Sequence, residues 1–170
     1  WSFPKQKSNV TNFGAGFLAA GKHAGNILEI TMEWLEKLFP GAKINHTVGG
    51  LVPVSSTLKD YTLDRLALVG DAAHHTNPLT GGGIAAAMRA GRFCADYVDM
   101  GLRATSGEAA ALSRNFLKQY EKRCYEYFGK THDFEYKFRR FLLAINREDQ
   151  IGLYKVLQGF ALSGYKKGAF

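Results

Sequence analysis

Gly70-Asp71 and the run Gly81-Gly82-Gly83 are the residues of this chain whose types and spacing best suit ligand chemistry. An aspartate carboxylate is an acceptor matched to a sugar hydroxyl. Three glycines carry no side chain, so a planar or phosphorylated ligand could lie against their backbone N–H groups. The helical pattern that begins with Ile84 would aim roughly half a positive charge at that ligand. A glycine-rich helix start alone is a weak signal. The whole string, Gly-Asp, six residues, Pro78, two residues, three glycines and a helix, is much more specific. His74 and His75 lie inside it. Adjacent residues on an extended segment point opposite ways, and no Cys or carboxylate cluster joins them at metal-ligand spacing. No metal site is expected.

The elements that must position these residues are legible as patterns. Leu66-Ala67-Leu68-Val69 is a short continuous apolar run, the mark of a strand buried on both faces. It delivers Gly70 and Asp71 at its carboxyl end, where α/β sheets bind ligands. Ile84, Ala87, Met88, Gly91, Ala95 and Val98 recur at helical spacing, with Gly101 as a stop. Upstream, residues 8–20 read as a strand with small residues at Gly14 and Gly16. A helix follows from Asn26, with Ile27, Thr31, Trp34, Leu35 and Leu38 on one face and Pro40-Gly41 ending it. Lys43 to Val54 reads as an irregular strand. Thr105-x-x-Glu108 fits a capping box ahead of Leu112, Phe116, Tyr120 and Cys124. Phe134, Phe138, Phe141, Leu142 and Ile145 imply another helix, and Ile151 to Phe160 a last one. The fold class is therefore α/β (or α+β), closed by a helical tail.

Composition excludes several classes. With 170 residues, 46% of them hydrophobic, the chain can bury a sizeable core. Nineteen aperiodic glycines and four prolines exclude collagen-like and disordered chains. Cys94 and Cys124 are too few for a disulfide scaffold and read as core residues. The Tyr125 to Phe141 aromatic run also reads as core. No apolar run reaches the ~18 residues of a membrane span. The start at Trp1, without Met or a signal peptide, is read as that of a fragment. The net charge of +7 is uneven: residues 1–100 carry nine Lys/Arg against eight Asp/Glu, and residues 101–170 thirteen against seven. The basic residues alternate with acids and no nucleic-acid motif appears, so no nucleic-acid partner is expected.

Gly70-Asp71-Ala72-Ala73-His74, with Pro78 and Gly81 to Gly83, resembles the second FAD-binding motif of para-hydroxybenzoate hydroxylase-type flavoproteins. The resemblance implies FAD as cofactor, held by Gly70, Asp71, Pro78, Gly81, Gly82, Gly83 and Ile84. Asp71 would contact the ribityl chain, the glycines would line the flavin, and Pro78 would lie beside the ring. One histidine would sit near the flavin and the other be packed or solvated. A narrower likeness flanks this motif. Trp1-Ser2-Phe3-Pro4-Lys5, Gly50-Leu51-Val52-Pro53-Val54-Ser55 and Asn77-Pro78-Leu79-Thr80-Gly81-Gly82-Gly83-Ile84 are similar to segments of the geranylgeranyl reductases.

That likeness covers residues 1–100 and the tail only in outline. It implies a C-terminal portion of a flavoprotein: 1–60 from a substrate-binding sheet region, 61–102 the second FAD-binding motif, and 103–170 a C-terminal helical region. The N-terminal G-x-G-x-x-G that binds the ADP half of FAD in this family is absent, so these residues alone are expected to be inactive. The implied reaction is FAD-dependent reduction of C=C bonds in geranylgeranyl chains of lipids or of a chlorophyll precursor. Trp1, Phe3, Pro4 and Pro53 would touch the prenyl chain, with room beside Gly14 and Gly16. The proton donor and other catalytic residues are not identifiable. The implied partners are a prenyl lipid and an electron donor, NAD(P)H or ferredoxin-like, and the implied location is cytoplasmic with peripheral membrane contact. The alternatives are an aromatic monooxygenase of the same fold, which the His74 of GDAAH fits, a quinone-linked flavoprotein dehydrogenase, and a non-catalytic interaction module.

Overall fold

Trp1 closes the first hairpin of the chain. Strand β1 (Ser2–Pro4) pairs antiparallel with β2 (Thr11–Phe13), Phe3 opposite Asn12. The Trp1 indole N–H donates to Asn12 Oδ1 at 2.9 Å, and Trp1 and Gly14 exchange backbone hydrogen bonds of 2.8 and 3.1 Å. A computed structural model describes residues 1–18, 24–104 and 112–155, in two units, Trp1–Leu51 and Val52–Phe170. The first holds this hairpin and helix α1 (Ile27–Leu38). Phe13 meets Phe39, just past α1, edge to face at 5.8 Å. The expected stop after α1 holds: Gly41 takes a φ of +71°, which glycine adopts without penalty.

Two strand expectations fail here. Of residues 8–20, the described part, 8–18, contributes only the three-residue β2, and the run from Lys43 to Val54 is not a strand. A strand persists only where a neighbour takes up its N–H and C=O groups, and no described segment pairs with this run. Gly14 corrects a third: a Cβ there would overlap the Trp1 indole, so its missing side chain makes room for Trp1 rather than for a ligand. Gly16 has open space beside it.

The second unit is built on helices. Strand β3 (Thr62–Leu63) and β4 (Leu66–Ala67) form a short antiparallel hairpin, turned by Arg65 at a φ of +61°. Helix α2 (Ile84–Ala104) follows, then α3 (Arg114–Cys124), a π-helical turn (Tyr125–Gly129) and α4 (Lys130–Ala144) in one continuous run. Residues 147–155 begin a further helix, capped by Asn146, whose Oδ1 accepts from Asp149 N–H at 2.9 Å. The remainder of the expected last helix, and the Thr105-x-x-Glu108 box, lie outside the described residues. The N-cap of α3 is Ser113, whose hydroxyl accepts from Phe116 N–H at 3.4 Å.

The strand expected at Leu66 to Val69 is corrected. Only Leu66 and Ala67 pair, Leu66 is exposed, and Ala67, Leu68 and Val69 pack on one side against the core. That core is Tyr61, Ala73, Ala90, Tyr120, Cys124 and Phe128. Gly101 does not end α2; it sits buried within the helix, where a Cβ would come 2.8 Å from Leu112 and 2.9 Å from Phe116. Close approach to α3, not chain termination, is what glycine provides there. The hairpin is tied to α3 through Glu121, a buried carboxylate whose Oε1 accepts from Tyr61 N–H at 2.9 Å and Thr62 hydroxyl at 2.6 Å. Tyr120 donates its hydroxyl to Leu68 carbonyl at 2.9 Å. Phe128 belongs to the core as expected, but Phe134 and Phe141 are exposed and stack with Phe138 along one face of α4. Among the described residues no helix is long and apolar enough to cross a membrane.

Candidate functional site

The chain leaves β4 at Ala67 and, after Leu68 and Val69, enters one 3-10 turn, Gly70–Ala73, before a loop leads into α2. Gly70 has a φ of +65° and its Cα lies against α2, a Cβ there falling 3.1 Å from Ala87 Cβ. Only glycine meets both demands, so the Gly of the Gly-Asp pair is structural. His74 ends the turn at a φ of +55°, a left-handed conformation that few non-glycine residues adopt. Its Nδ1 hydrogen-bonds Ser55 Oγ at 2.6 Å.

His75 packs into the core, the left-handed turn at His74 separating it from its neighbour. It is fully buried, edge-on to Tyr61 at 5.1 Å and Phe128 at 4.9 Å. Its Nδ1 accepts from Gly70 N–H at 3.2 Å, which puts the proton on Nε2, an atom with no hydrogen-bond partner among the described residues. Burial, with His132 and His74 nearby, pushes its pKa down to about 4. Burial also lowers the pKa of His132. Both imidazoles are neutral core groups at neutral pH.

Thr76, also fully buried, donates its hydroxyl to Asp71 Oδ1 at 2.7 Å. The backbone at Gly83 passes so close that a Cβ there would sit 3.1 Å from both Asp71 Oδ1 and Thr76 Oγ1. Asn77 then builds the loop. Its side-chain oxygen accepts from Leu79 and Thr80 N–H at 2.9 and 2.8 Å, an Asx turn, and its backbone exchanges hydrogen bonds with Gly81 and Gly82. Helix α4 clamps this loop from behind: Glu135 accepts from Asn77 Nδ2 at 2.7 Å, and Arg139 donates to Pro78 carbonyl at 2.9 Å. Gly81 completes the turn at a φ of +74°. Gly83 carbonyl accepts from Ala87 N–H at 2.8 Å, so α2 starts immediately after the glycines as the sequence pattern requires.

The result is a cavity of about 380 Å³ lined by Val52, Asp71, Gly81, Gly83, Ile84 and Ala87, within the size range of small-molecule sites. Of the expected site residues, Asp71, Gly81, Gly83 and Ile84 line it, Gly82 lies exposed between Gly81 and Gly83, and Gly70 is buried against Ala87 of α2. Pro53 is half-buried beside Val52. Trp1, Phe3 and Pro4 belong to the first unit, where Trp1 and Phe3 are well exposed. Pro78 is a correction: its side chain is fully buried by the chain itself, so it packs the loop and presents no face to a ligand. Thr76, Glu135 and Arg139 were not singled out from the sequence, and Asn77 and Ser55 figure there only within the segments that carry the family resemblance. The Asn-Pro dipeptide is a turn signal that would have pointed to Asn77; the contacts of Glu135 and Arg139 arise only from folding. Among the described residues no cluster of three or more His, Cys, Asp or Glu could hold a metal ion.

No family model matches the chain. It is 37% identical over 146 residues to the digeranylgeranylglycerophospholipid reductase of Methanocella arvoryzae, covering 86% of this chain and 36% of that protein. The reductase of the same name from Methanothrix thermoacetophila is 33% identical over 149 residues, covering 88% of this chain and 37% of the relative. The chain therefore spans a little over a third of the length of these relatives. Among solved structures, a geranylgeranyl bacteriochlorophyll reductase-like protein from Thermoplasma acidophilum superposes with a TM-score of 0.58 at 27% identity, over 73% of this chain and 31% of that one.

Proposed function

The chain belongs to the geranylgeranyl reductase family, and from that premise we propose that it carries part of a FAD site in a flavoprotein that reduces C=C bonds of geranylgeranyl chains in lipids or a chlorophyll precursor. The supporting observation is the convergence of Asp71 and Gly81 to Gly83 on one cavity at the N-terminus of α2. These residues fit a flavin. Asp71 is exposed, and its Oδ2 has no partner among the described residues, so it can accept from a ribityl hydroxyl. Gly81 and Gly82 expose backbone that a flat ring can approach. The start of α2 favours negative charge, such as that at the N1–C2=O edge of a reduced flavin.

When bound, a reduced flavin supplies the hydride for an isolated C=C. The chain's own part is to hold and orient it: Asp71 anchors the ribityl chain, Ile84 shapes the rim, and Gly81 to Gly83 form the wall. The likeness in fold to para-hydroxybenzoate hydroxylase-type flavoproteins belongs to the same proposal. So do prenyl contacts from Trp1, Phe3, Pro4 and Pro53, an electron donor of the NAD(P)H or ferredoxin type, and peripheral membrane contact of a cytoplasmic protein.

The test uses the full-length protein, reduced with dithionite under anaerobic conditions and offered a geranylgeranyl lipid. A mass gain of about 2 Da per saturated bond, the two added hydrogens, supports the reading. Absence of any gain, together with oxygen-dependent hydroxylation of an aromatic acid, replaces it with the monooxygenase.

A further inference from the structure

We infer that Thr76 is the positioning residue of this site: it commits one carboxylate oxygen of Asp71 to the protein and thereby aims the other at the ligand. The inference rests on the flavin reading above. Asp71 is exposed on the rim, and an unrestrained aspartate there would sample several rotamers. The Thr76 hydroxyl removes that freedom. It is wholly buried, it donates to Oδ1 at 2.7 Å, and that carboxylate is its one hydrogen-bond partner among the described residues.

Two further contacts hold the pair. Gly83 passes so close that any side chain there would press on both oxygens, each 3.1 Å from the site of a Cβ. The third glycine of the run thus makes space for the Asp71–Thr76 bond as well as lining the cavity. Thr76 is in turn placed by His75, whose backbone N–H donates to Gly70 carbonyl at 3.0 Å and whose side chain is locked in the core. Asp71 Oδ2 remains for one hydroxyl donor. Restraining it before binding lowers the entropy lost when that hydroxyl arrives.

The experiment is titration of full-length apoprotein with FAD, read by flavin fluorescence, alongside thermal unfolding without cofactor. Thr76→Val keeps the shape and removes the donor. FAD binding should weaken roughly tenfold, the scale of one charge-assisted hydrogen bond, with the unfolding temperature of the apoprotein unchanged or higher. Thr76→Ser should restore native affinity, and Thr76→Val added to Asp71→Ala should weaken binding no further. If Thr76→Val does not fold, Thr76→Ala is read by the same titration. Native FAD affinity in the Thr76 variants, with Asp71→Ala weakened, overturns the positioning role and leaves the flavin site standing. Equal additional loss in the Asp71→Ala background also overturns it. Native FAD affinity in Asp71→Ala overturns the flavin reading itself.

Discussion

Gly70 and His75 hold each other in both directions. The Gly70 N–H donates to His75 Nδ1 at 3.2 Å, and the His75 N–H donates to Gly70 carbonyl at 3.0 Å. One buried imidazole therefore closes the turn that carries Asp71, and it can do so only while Nδ1 is unprotonated. The geometry of the turn that carries Asp71 depends on a neutral group in the core.

That relationship carries a pH dependence. The fold favours neutral His75, so its folded pKa of about 4 lies below the ordinary 6.5. Its stabilising contribution is whole above pH 6.5, declines as pH falls through the interval, and is gone below about 4. The interval corresponds to about 3 kcal/mol. Urea unfolding at a series of pH values checks it by comparison with His75→Asn, which retains an acceptor but does not titrate. The variant should lose less stability on acidification; parallel curves for the two proteins would contradict the assignment.

Gly70→Ala should destabilise by roughly 2–5 kcal/mol. The left-handed conformation costs a residue with a Cβ about 1–2 kcal/mol, and contact with Ala87 adds an overpacking cost of about 1–3 kcal/mol. Denaturant titration measures it. A variant as stable as the native protein would mean that the turn relaxes freely.

Glu121→Ala should cost about 2–4 kcal/mol, because it strands the buried Tyr61 N–H and Thr62 hydroxyl together. Glu121→Gln keeps an acceptor at the same place and should cost less. Equal losses in the two variants would show that the carboxylate charge matters more than its hydrogen bonds.

Cys124 should resist thiol reagents in the folded protein. Burial pushes its thiol up to about 11, leaving little thiolate near neutral pH. Cys94, half-buried on α2, is raised for the same reason. A colorimetric thiol assay at pH 8 should report Cys124 only after denaturant is added; rapid labelling of Cys124 in the native state would contradict its core placement.

Asp71→Ala in the full-length protein should lower FAD affinity about tenfold or more, since a ribityl hydroxyl would lose a charged acceptor. Flavin content after gel filtration checks this, and undiminished occupancy would count against Asp71 as a ligand.

The sequence by itself determined the local parts of this site. Helical spacing located α2 and Gly81 to Gly83 marked its start, because period and glycine placement are short-range properties of the chain. Tertiary structure decided the rest. The apolar run Leu66 to Val69 looked like a doubly buried strand, yet packing against Tyr61 and Tyr120 required only one covered side. Gly101 looked like a helix stop, and the approach of Leu112 and Phe116 makes it a contact point instead. Pro78 looked like a ligand wall and became loop core once Arg139 reached its carbonyl. The bonds from Thr76 to Asp71 and from Glu135 to Asn77 have no sequence signature. Each depends on bringing a side chain to a partner that backbone geometry alone specifies, and that placement follows from the shared burial of α2, α3 and α4.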